Sequence, residues 1–468
     1  MAPARLTFLG GTSTVGGVQV LARTTSAAVV FDLGVVGNPG VVRDAALFHE
    51  FMSPRGTAPL RDYLRAGMAP LLEGLYDDQR IPEGVDRLTS PLRRPGYALA
   101  GRDVIDLAGL TTAVFVSHLH DDHAGLTSFV SPDVPLLMSE GSARLRPALV
   151  AAGELLAGPA PVRALAALEP LLLGDLSLEA VPVDHDIVGA SGLLGTTPDG
   201  TFAYTGDWRG HGMHPELMER FAERCHGVDV LLTDSSCTGH LPEKVAHQVP
   251  EADVAPWFAD VLDRTPGTAY VSVHPRNLER HEALRHVAVA AGRQVVLDPV
   301  AARLWSEALA GGVVGGSLEG VSVWDVGDDR PTPPGLPRVA PSDIASSRDA
   351  FVAHLPTRLR PLLLDVGAGP GDTFAHLNGH PFGSDDPHWQ VLLTWVRMLG
   401  MHLEIVSSHG HALPTDLAHL VEAVRPGMVV PVHTNAPHRF PSVSVPVRPV
   451  TQGETVPLAQ SQAAGARP

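Results

Sequence analysis

Cysteine is nearly absent from this 468-residue chain, which contains two cysteines, Cys225 and Cys237. Two thiols cannot build a disulfide framework, and their spacing differs from the paired thiolates of a zinc site. We therefore interpret both as packing residues in a protein of a reducing compartment.

Long apolar runs are also missing. The sequence has no stretch of about 18 uninterrupted apolar residues, so we expect no membrane-spanning helix. The first ten residues lack the basic start and the apolar core of a signal peptide. These absences predict a cytoplasmic protein with no membrane partner.

Positive charge is scarce as well. The 34 Lys and Arg residues against 51 Asp and Glu residues give a formal net charge of −17, and Lys244 is the one lysine. Because a protein that follows a nucleic-acid backbone normally has a basic face, such a path here would be a groove lined by arginine. The planar arginine side chain suits phosphate. A coding bias that also enriches Ala, Gly and Pro explains the missing lysine equally well.

The densest group of metal-binding side chains follows Val114–Val116, which we predict to be a buried strand. Within six residues the chain brings His118, His120, Asp122 and His123. These polar groups are costly to desolvate unless they bind something, and a divalent metal ion is the simplest partner. In extended backbone, alternate side chains point the same way. His118 and His120 can therefore bind one ion while Asp122 and His123 turn toward a second.

This H-x-H-x-D-H run resembles the signature of the metallo-β-lactamase-fold metallohydrolases, and further stretches resemble that family in chain order. They are Asp32 in A-V-V-F-D-L-G, His185 in V-P-V-D-H-D, Asp207 in F-A-Y-T-G-D-W and His433 in V-V-P-V-H-T. The resemblance implies two Zn²⁺ ions per chain. One is bound by His118, His120 and His185, the other by Asp122, His123 and His433, and Asp207 bridges them. Mn²⁺ stays an alternative because the set contains no thiolate.

Asp32 has two open interpretations. It either accepts a hydrogen bond that orients a metal-binding histidine, or it caps a turn at the end of a strand.

Strand and helix patterns alternate through the long segment between Asp207 and His433. Strand-like runs at 228–233, 269–273, 294–297, 321–326 and 358–366 are interleaved with helical runs at 252–264, 277–291 and 301–309. Such alternation predicts a parallel sheet flanked by helices, inserted into the first domain.

An insertion at this point resembles the β-CASP branch of the family, whose nucleic-acid-processing enzymes include ribonuclease J. Asp234 in L-L-T-D-S and His411 in G-H-A resemble β-CASP motifs, whereas Glu279 in N-L-E-R stands where the family has a histidine.

We therefore predict an α/β fold, a four-layer αββα metallo-β-lactamase sandwich with an inserted parallel-sheet β-CASP-like domain. The first domain comprises residues 1–208, with a helical insertion at about 41–102, and 389–456. The inserted domain comprises 209–388, and 457–468 form a disordered tail.

The resemblance implies a ribonuclease J-like nuclease that cleaves phosphodiesters of RNA, or of single-stranded DNA, with a hydroxide bound by two zinc ions. Asp122, His411 and Asp234 are the candidate catalytic residues. His411 would stabilise the phosphate or assist the leaving group, and Asp234 would set its tautomer. Exonuclease and endonuclease cleavage both stay open, as does a homodimer.

Two other classes of function remain open. The same fold also hydrolyses small esters, lactones and thioesters, so a dizinc hydrolase of such a substrate is the alternative. A closed pocket built from residues 41–102 would favour it. The third class is a binding protein that keeps the fold without turnover.

Overall fold

The computed structural model describes residues 3–35, 59–77, 104–239, 247–327, 332–378 and 387–458. Of the predicted insertion at 41–102, residues 59–77 are therefore described, and of the predicted tail, 457–458. Lys244 lies outside the described residues. No helix within these ranges is long and apolar enough to cross a membrane.

Strands and helices alternate along most of the described chain. The strands are β1 (Arg5–Gly10), β2 (Gln19–Arg23), β3 (Ala27–Phe31), β4 (Leu72–Glu73), β5 (Ile105–Asp106), β6 (Thr111–Val116), β7 (Leu136–Ser139), β8 (Val162–Leu165), β9 (Leu171–Leu173), β10 (Leu176–Pro182), β11 (Ser191–Thr197), β12 (Gly200–Tyr204), β13 (Val230–Asp234), β14 (His247–Gln248), β15 (Ala269–Ser272), β16 (Gln294–Leu297), β17 (Val321–Trp324), β18 (Arg338–Val339), β19 (Phe351–His354), β20 (Thr373–His376), β21 (His402–Ser407), β22 (Met428–Val432) and β23 (Thr455–Pro457). The helices are α1 (Pro59–Ala66), α2 (Asp121–Ala124), α3 (Glu140–Ala152), α4 (Glu216–Arg224), α5 (Glu251–Arg264), α6 (Leu278–Ala290), α7 (Pro299–Ala310), α8 (Pro341–Ser346), α9 (Leu362–Val366), α10 (Pro387–Leu399) and α11 (Pro414–Val424).

Two mixed sheets share one apolar core. The first sheet has the strand order β23-β1-β2-β3-β6-β7-β8 and the second β22-β13-β12-β11-β10-β9. Phe8 and Phe31 of the first sheet belong to the same buried cluster as Phe202 and Tyr204 of the second. The rings of Phe31 and Phe202 are stacked with their centroids 5.6 Å apart. The outward faces of these strands belong to a second apolar cluster, which also contains buried side chains of α3, α4 and α11.

A third sheet, with the order β14-β21-β20-β15-β19-β16-β17-β18, is parallel at every described pairing. The chain enters it after β13 and returns to the second sheet at β22, so the predicted parallel sheet is confirmed. β21 pairs with β20 in this sheet. The strand order therefore extends the parallel sheet to Ser407.

The predicted strand at 358–366 is wrong. This segment forms a short 3₁₀ turn, Thr357–Leu359, and then α9. Leu363 and Val366 are buried on one face, whereas Leu364 between them is 55% exposed. A short apolar run does not distinguish a strand from a helix, because its periodicity is sampled over too few residues. The strands before and after this segment in the chain are β19 and β20, which pair with opposite edges of β15.

Candidate residues of the functional site follow the carboxyl ends of strands. Asp32 follows β3, the H-x-H-x-D-H run follows β6, His185 follows β10, Asp207 follows β12, and His433 follows β22; Asp234 is the last residue of β13. His411 follows β21 of the parallel sheet. The sheets therefore present these side chains along edges that converge on one place.

Candidate metal centre

All seven predicted metal-binding side chains lie in two adjacent groups. Within each group, the candidate ligand atoms lie within 4.8 Å of one another. The first group is His118, His120 and His185; the second is Asp122, His123, Asp207 and His433. Asp234 and His411 form a third group with Asp207 and His433. The described structure therefore brings every sequence-predicted site residue together.

The backbone is strained at two positions of the site, Asp32 and His433. Asp32 has φ 61° and His433 has φ 59°, both in the left-handed region that side-chain-bearing residues seldom adopt. Asp32 N donates to Phe115 O at 2.8 Å, and His433 N donates to Gly11 O at 2.7 Å. Each conformation costs about 1 kcal/mol or more and persists because the surrounding structure fixes it. Such positions cluster at functional sites.

Hydrogen bonds on the outer side of the first histidines determine where their ring protons lie. Ser117 Oγ donates to Asp32 Oδ2 at 2.7 Å, so it accepts from His118 Nδ1 at 3.0 Å. His123 Nδ1 lies 2.7 Å from Asp32 Oδ2 and donates to it. Both rings therefore carry a proton on Nδ1. In the neutral ring, Nε2 then has no proton and carries a free lone pair.

His185 and His433 are oriented in the same way by other partners. His185 Nδ1 donates to Gly410 O at 2.7 Å. His433 Nδ1 lies 2.6 Å from Ser236 Oγ, which in turn donates to Asp234 Oδ1 at 2.6 Å. In their neutral forms, the Nε2 atoms of these two rings therefore also carry a free lone pair.

When the rings are neutral, the inner side of the site is an array of acceptors. His118 Nε2, His123 Nε2 and Asp207 Oδ1 are buried and have no hydrogen-bond partner among the described residues. His123 Nε2 lies 3.2 Å from Asp207 Oδ1, and His433 Nε2 lies 3.0 Å from Asp122 Oδ2. Facing acceptors repel each other, whereas a divalent cation between them would satisfy them together. The nitrogen and oxygen donors suit Zn²⁺ and also Mn²⁺, so the groups could hold metal ions.

The electrostatics of the histidines differ between the two groups. Burial, and then the neighbouring His123, hold the pKa of His118 well below its usual value, which keeps the ring neutral, as a metal ligand must be. Burial also lowers the pKa of His120 well below its usual value. At His123 burial acts in the same direction, but the carboxylates of Asp207 and Asp122 outweigh it and raise its pKa well above the usual value. Without a metal ion this ring therefore holds a second proton, which a bound cation would displace.

Asp32 orients ligand candidates, so the structure decides between its two interpretations. Its carboxylate is fully buried and accepts from Ser117 N, from His123 Nδ1 and, at 2.6 Å, from Tyr204 OH. Our sequence reasoning missed Ser117, Tyr204 and Ser236. Ser117 had a usable signal, because it directly precedes His118; the other two are recognisable only once the chain is folded.

His411 is held by Asp234. Its Nδ1 lies 2.9 Å from Asp234 Oδ2, and its backbone N donates to His409 Nδ1 at 3.2 Å. Burial lowers the pKa of His411, but the carboxylates of Asp234 and Asp207 outweigh this effect and raise it to about 10. The side chain is 24% exposed, so Nε2 is the ring atom left for a substrate.

Glu279 does not replace the family's histidine at the site. Its carboxylate lies 3.2 Å from His214 Nε2, and both side chains are more than 40% exposed.

A buried ion triad connects the parallel sheet to the loops that carry the site. Glu251, at the start of α5, accepts from Arg209 Nη1 at 2.7 Å and from Arg280 Nε at 2.8 Å. Arg280 Nη2 also donates to Ser408 O at 2.6 Å. These three charged side chains are at most 5% exposed. Arg209 and Arg280 use their guanidinium groups in this network, so they do not support an arginine-lined path for nucleic acid. That path stays a prediction.

Gly410→Ala should displace His185. A Cβ at this position would lie 2.7 Å from His185 Cε1 and 3.2 Å from His185 Nδ1, too close for the ring to stay where it is. Moving the ring also breaks its hydrogen bond to the Gly410 carbonyl. Because loss of such an orienting contact typically lowers metal affinity 10- to 100-fold, we expect a loss of about that size.

Equilibrium titration of metal-free protein with Zn²⁺ measures the effect of Gly410→Ala. Gly453→Ala is a useful comparison, because no atom lies within 4 Å of a Cβ there, although its φ of +88° adds backbone strain. Equal zinc affinity in Gly410→Ala and the parent protein would show that the ring position at His185 is unimportant.

Comparisons with known proteins identify relatives in sequence and in fold. The chain is 27% identical over 364 residues to ribonuclease J of Sinorhizobium meliloti, an alignment that covers 74% of this chain and 63% of that protein. It is 25% identical over 229 residues to ribonuclease J of Mycolicibacterium smegmatis, covering 43% of this chain and 38% of that protein. The chain thus spans less than two thirds of the length of these relatives. No family model matches it.

The fold has a close counterpart among solved structures. A crystal structure of a protein of unknown function from Enterococcus faecalis V583 superimposes with a TM-score of 0.76. It is 24% identical and covers 97% of this chain and 100% of that one. This likeness shows a shared fold.

Proposed function

We propose that this chain is a metal-dependent nuclease of the metallo-β-lactamase fold and the β-CASP branch, which hydrolyses phosphodiesters in RNA or single-stranded DNA. The observation that carries the proposal is the group of buried ligand atoms on His118, His123 and Asp207 that have no hydrogen-bond partner among the described residues. Sequence similarity to ribonuclease J over most of the chain supports the choice of substrate.

The proposed architecture is an αββα sandwich with an inserted domain. The two mixed sheets with a common core would be its inner layers, and the parallel sheet would be the β-CASP-like part. The proposed ligands of a first Zn²⁺ are His118, His120 and His185; those of a second are Asp122, His123 and His433, with Asp207 shared. When bound, such a pair of ions lowers the pKa of a water and offsets charge on a phosphodiester.

The protein's own groups would then orient the site and move a proton. Asp32 and Ser117 hold the His123 and His118 rings with Nε2 turned inward. Asp234 accepts from His411 Nδ1 and so fixes that ring. We propose that His411 Nε2 contacts the phosphate or donates a proton to the leaving oxygen.

The test compares metal-free and metal-loaded protein on labelled RNA and DNA. Single-stranded RNA carrying 5′-monophosphate, 5′-triphosphate or 5′-hydroxyl ends should be cleaved after addition of Zn²⁺ or Mn²⁺ and not after chelation. Single-stranded and duplex DNA, with a panel of aryl esters, lactones and thioesters, complete the substrates. Hydrolysis of the small esters with every nucleic acid left intact would contradict the nuclease proposal.

A further inference from the structure

Asp186 is a carboxylate beside the first metal group that neither the motif resemblance nor the proposed function uses. It directly follows His185 in the loop between β10 and β11. Its Oδ1 atom is buried and has no hydrogen-bond partner among the described residues. Asp184, on the other side of His185, instead accepts from His214 N at 2.8 Å. Of the two acids that flank His185, only Asp186 faces the histidines.

The distance between Asp186 and His185 is that of neighbouring ligands on one ion. Asp186 Oδ1 lies 3.3 Å from His185 Nε2 and 3.7 Å from His120 Nε2. His185 Nε2 lies 3.2 Å from His120 Nδ1, so the His120 nitrogen that would share an ion with His185 is Nδ1, and Nε2 is the one nearer Asp186. Ligand atoms with bonds of about 2.0–2.2 Å to one ion, at right-angled to tetrahedral geometry, are separated by about 2.8–3.6 Å.

The ring proton of His185 excludes an ordinary hydrogen bond as the reason for this approach. That proton lies on Nδ1, which donates to Gly410 O, so Nε2 of the neutral ring and Asp186 Oδ1 are both acceptors. Two facing acceptors at 3.3 Å are stabilised by a cation that both can bind.

We propose that Asp186 is a ligand of the first metal ion, contributing a carboxylate oxygen to the set of His118, His120 and His185. This inference rests on the metal centre proposed above. An added carboxylate oxygen shifts the metal preference of the site, because oxygen donors suit Mn²⁺ whereas a set of imidazoles suits Zn²⁺. Asp186 therefore raises the affinity of this site for Mn²⁺ more than its affinity for Zn²⁺.

His274, from the loop after β15 of the parallel sheet, lies against His120. Its ring centroid is 4.9 Å from that of His120, and its Nδ1 is buried without a hydrogen-bond partner among the described residues. The parallel sheet thus contributes a side chain to the wall of the first metal group, next to the position that Asp186 completes.

Metal stoichiometry tests the role of Asp186 without any substrate. Metal-free protein is titrated with Mn²⁺, followed by the electron paramagnetic resonance signal of the free ion and by metal analysis after gel filtration. We expect two tight ions in the parent, one in Asp186→Asn, one in Asp122→Asn and none in the double variant. The Mn²⁺ affinity of the first site should fall about 100-fold or more in Asp186→Asn, beyond the usual effect of losing an orienting contact.

Two controls separate binding of an ion from other effects of the substitution. Asparagine retains an oxygen that can accept from His120 Nε2, so a merely orienting Asp186 predicts little loss, and that result overturns the inference. Asp121→Asn removes a neighbouring carboxylate that is 60% exposed and pairs with Arg276. It should leave both ions bound, and a loss equal to that of Asp186→Asn would attribute the effect to overall charge.

The two proposals fail differently in this experiment. Two tight ions in both the parent and Asp186→Asn would remove Asp186 from the site while leaving the proposed function intact. A parent protein that binds neither Mn²⁺ nor Zn²⁺ would overturn both. Circular dichroism and thermal unfolding of each variant establish that the comparison is made between folded proteins.

Discussion

Asp122→Asn should lower the rate of phosphodiester hydrolysis at least about 10³-fold and leave the protein folded. The carboxylate Oδ2 faces His433 Nε2 at 3.0 Å and His123 Nε2 at 3.9 Å, inside the second metal group. An amide oxygen is neutral and a weaker ligand, so the second ion would be lost. Two-metal clamping supplies several kcal/mol of transition-state stabilisation, and each 1.36 kcal/mol corresponds to a tenfold change in rate.

Single-turnover cleavage of the best RNA substrate, at saturating metal, measures the effect of Asp122→Asn. Asp121→Asn is the matched comparison, because it changes the adjacent carboxylate, which pairs with Arg276 at 2.9 Å instead of facing the histidines. We expect near-parental rates for Asp121→Asn. An unchanged rate in Asp122→Asn would remove this residue from the proposed mechanism.

Glu251→Ala should destabilise the protein by about 3–5 kcal/mol, because it leaves two buried arginines without their shared carboxylate. Arg209 lies two residues after Asp207, and Arg280 donates to the carbonyl of Ser408, three residues before His411. We therefore expect the remaining folded protein to lose activity as well, since both loops would move.

Urea unfolding of the parent, Glu251→Ala and Asp325→Ala measures this effect. The Asp325 carboxylate pairs with Arg338 at 3.4 Å, and both side chains are nearly half exposed. Breaking an exposed pair typically changes the free energy of unfolding by less than about 1 kcal/mol. If Glu251→Ala were no more destabilising than Asp325→Ala, the triad would not hold the parallel sheet to the site loops.

The site was predictable from the sequence where residue type and spacing carry the chemistry. His118, His120, Asp122 and His123 stand in one short motif, and the resemblance supplied His185, Asp207 and His433 in order. Their partners were harder to find, because a serine or a tyrosine has no chemistry that distinguishes a metal-site partner from an ordinary surface residue. Tyr204 and Ser236 acquire their roles only through contacts with residues far away in the chain.

The fold was predictable where the apolar pattern is long. Helix α6, predicted at 277–291, runs over Leu278–Ala290. Asn277 caps its N-terminus, because its side chain accepts a hydrogen bond from Arg280 N. The prediction failed at α9, where five residues are too few to show a period. It also gave no indication of the triad around Glu251, because a buried glutamate and an exposed one look alike in a sequence.

The chain order of the metal groups has a consequence for synthesis. The proposed ligands run from His118 to His433, and β22, which carries the last of them, pairs with β13 about midway along the chain. His185 comes earlier in the chain than Gly410, whose carbonyl orients its ring, so the first group is complete only once residue 410 has been made. The second group stays incomplete until His433 follows, so a fragment that stops earlier would lack the proposed metal centre.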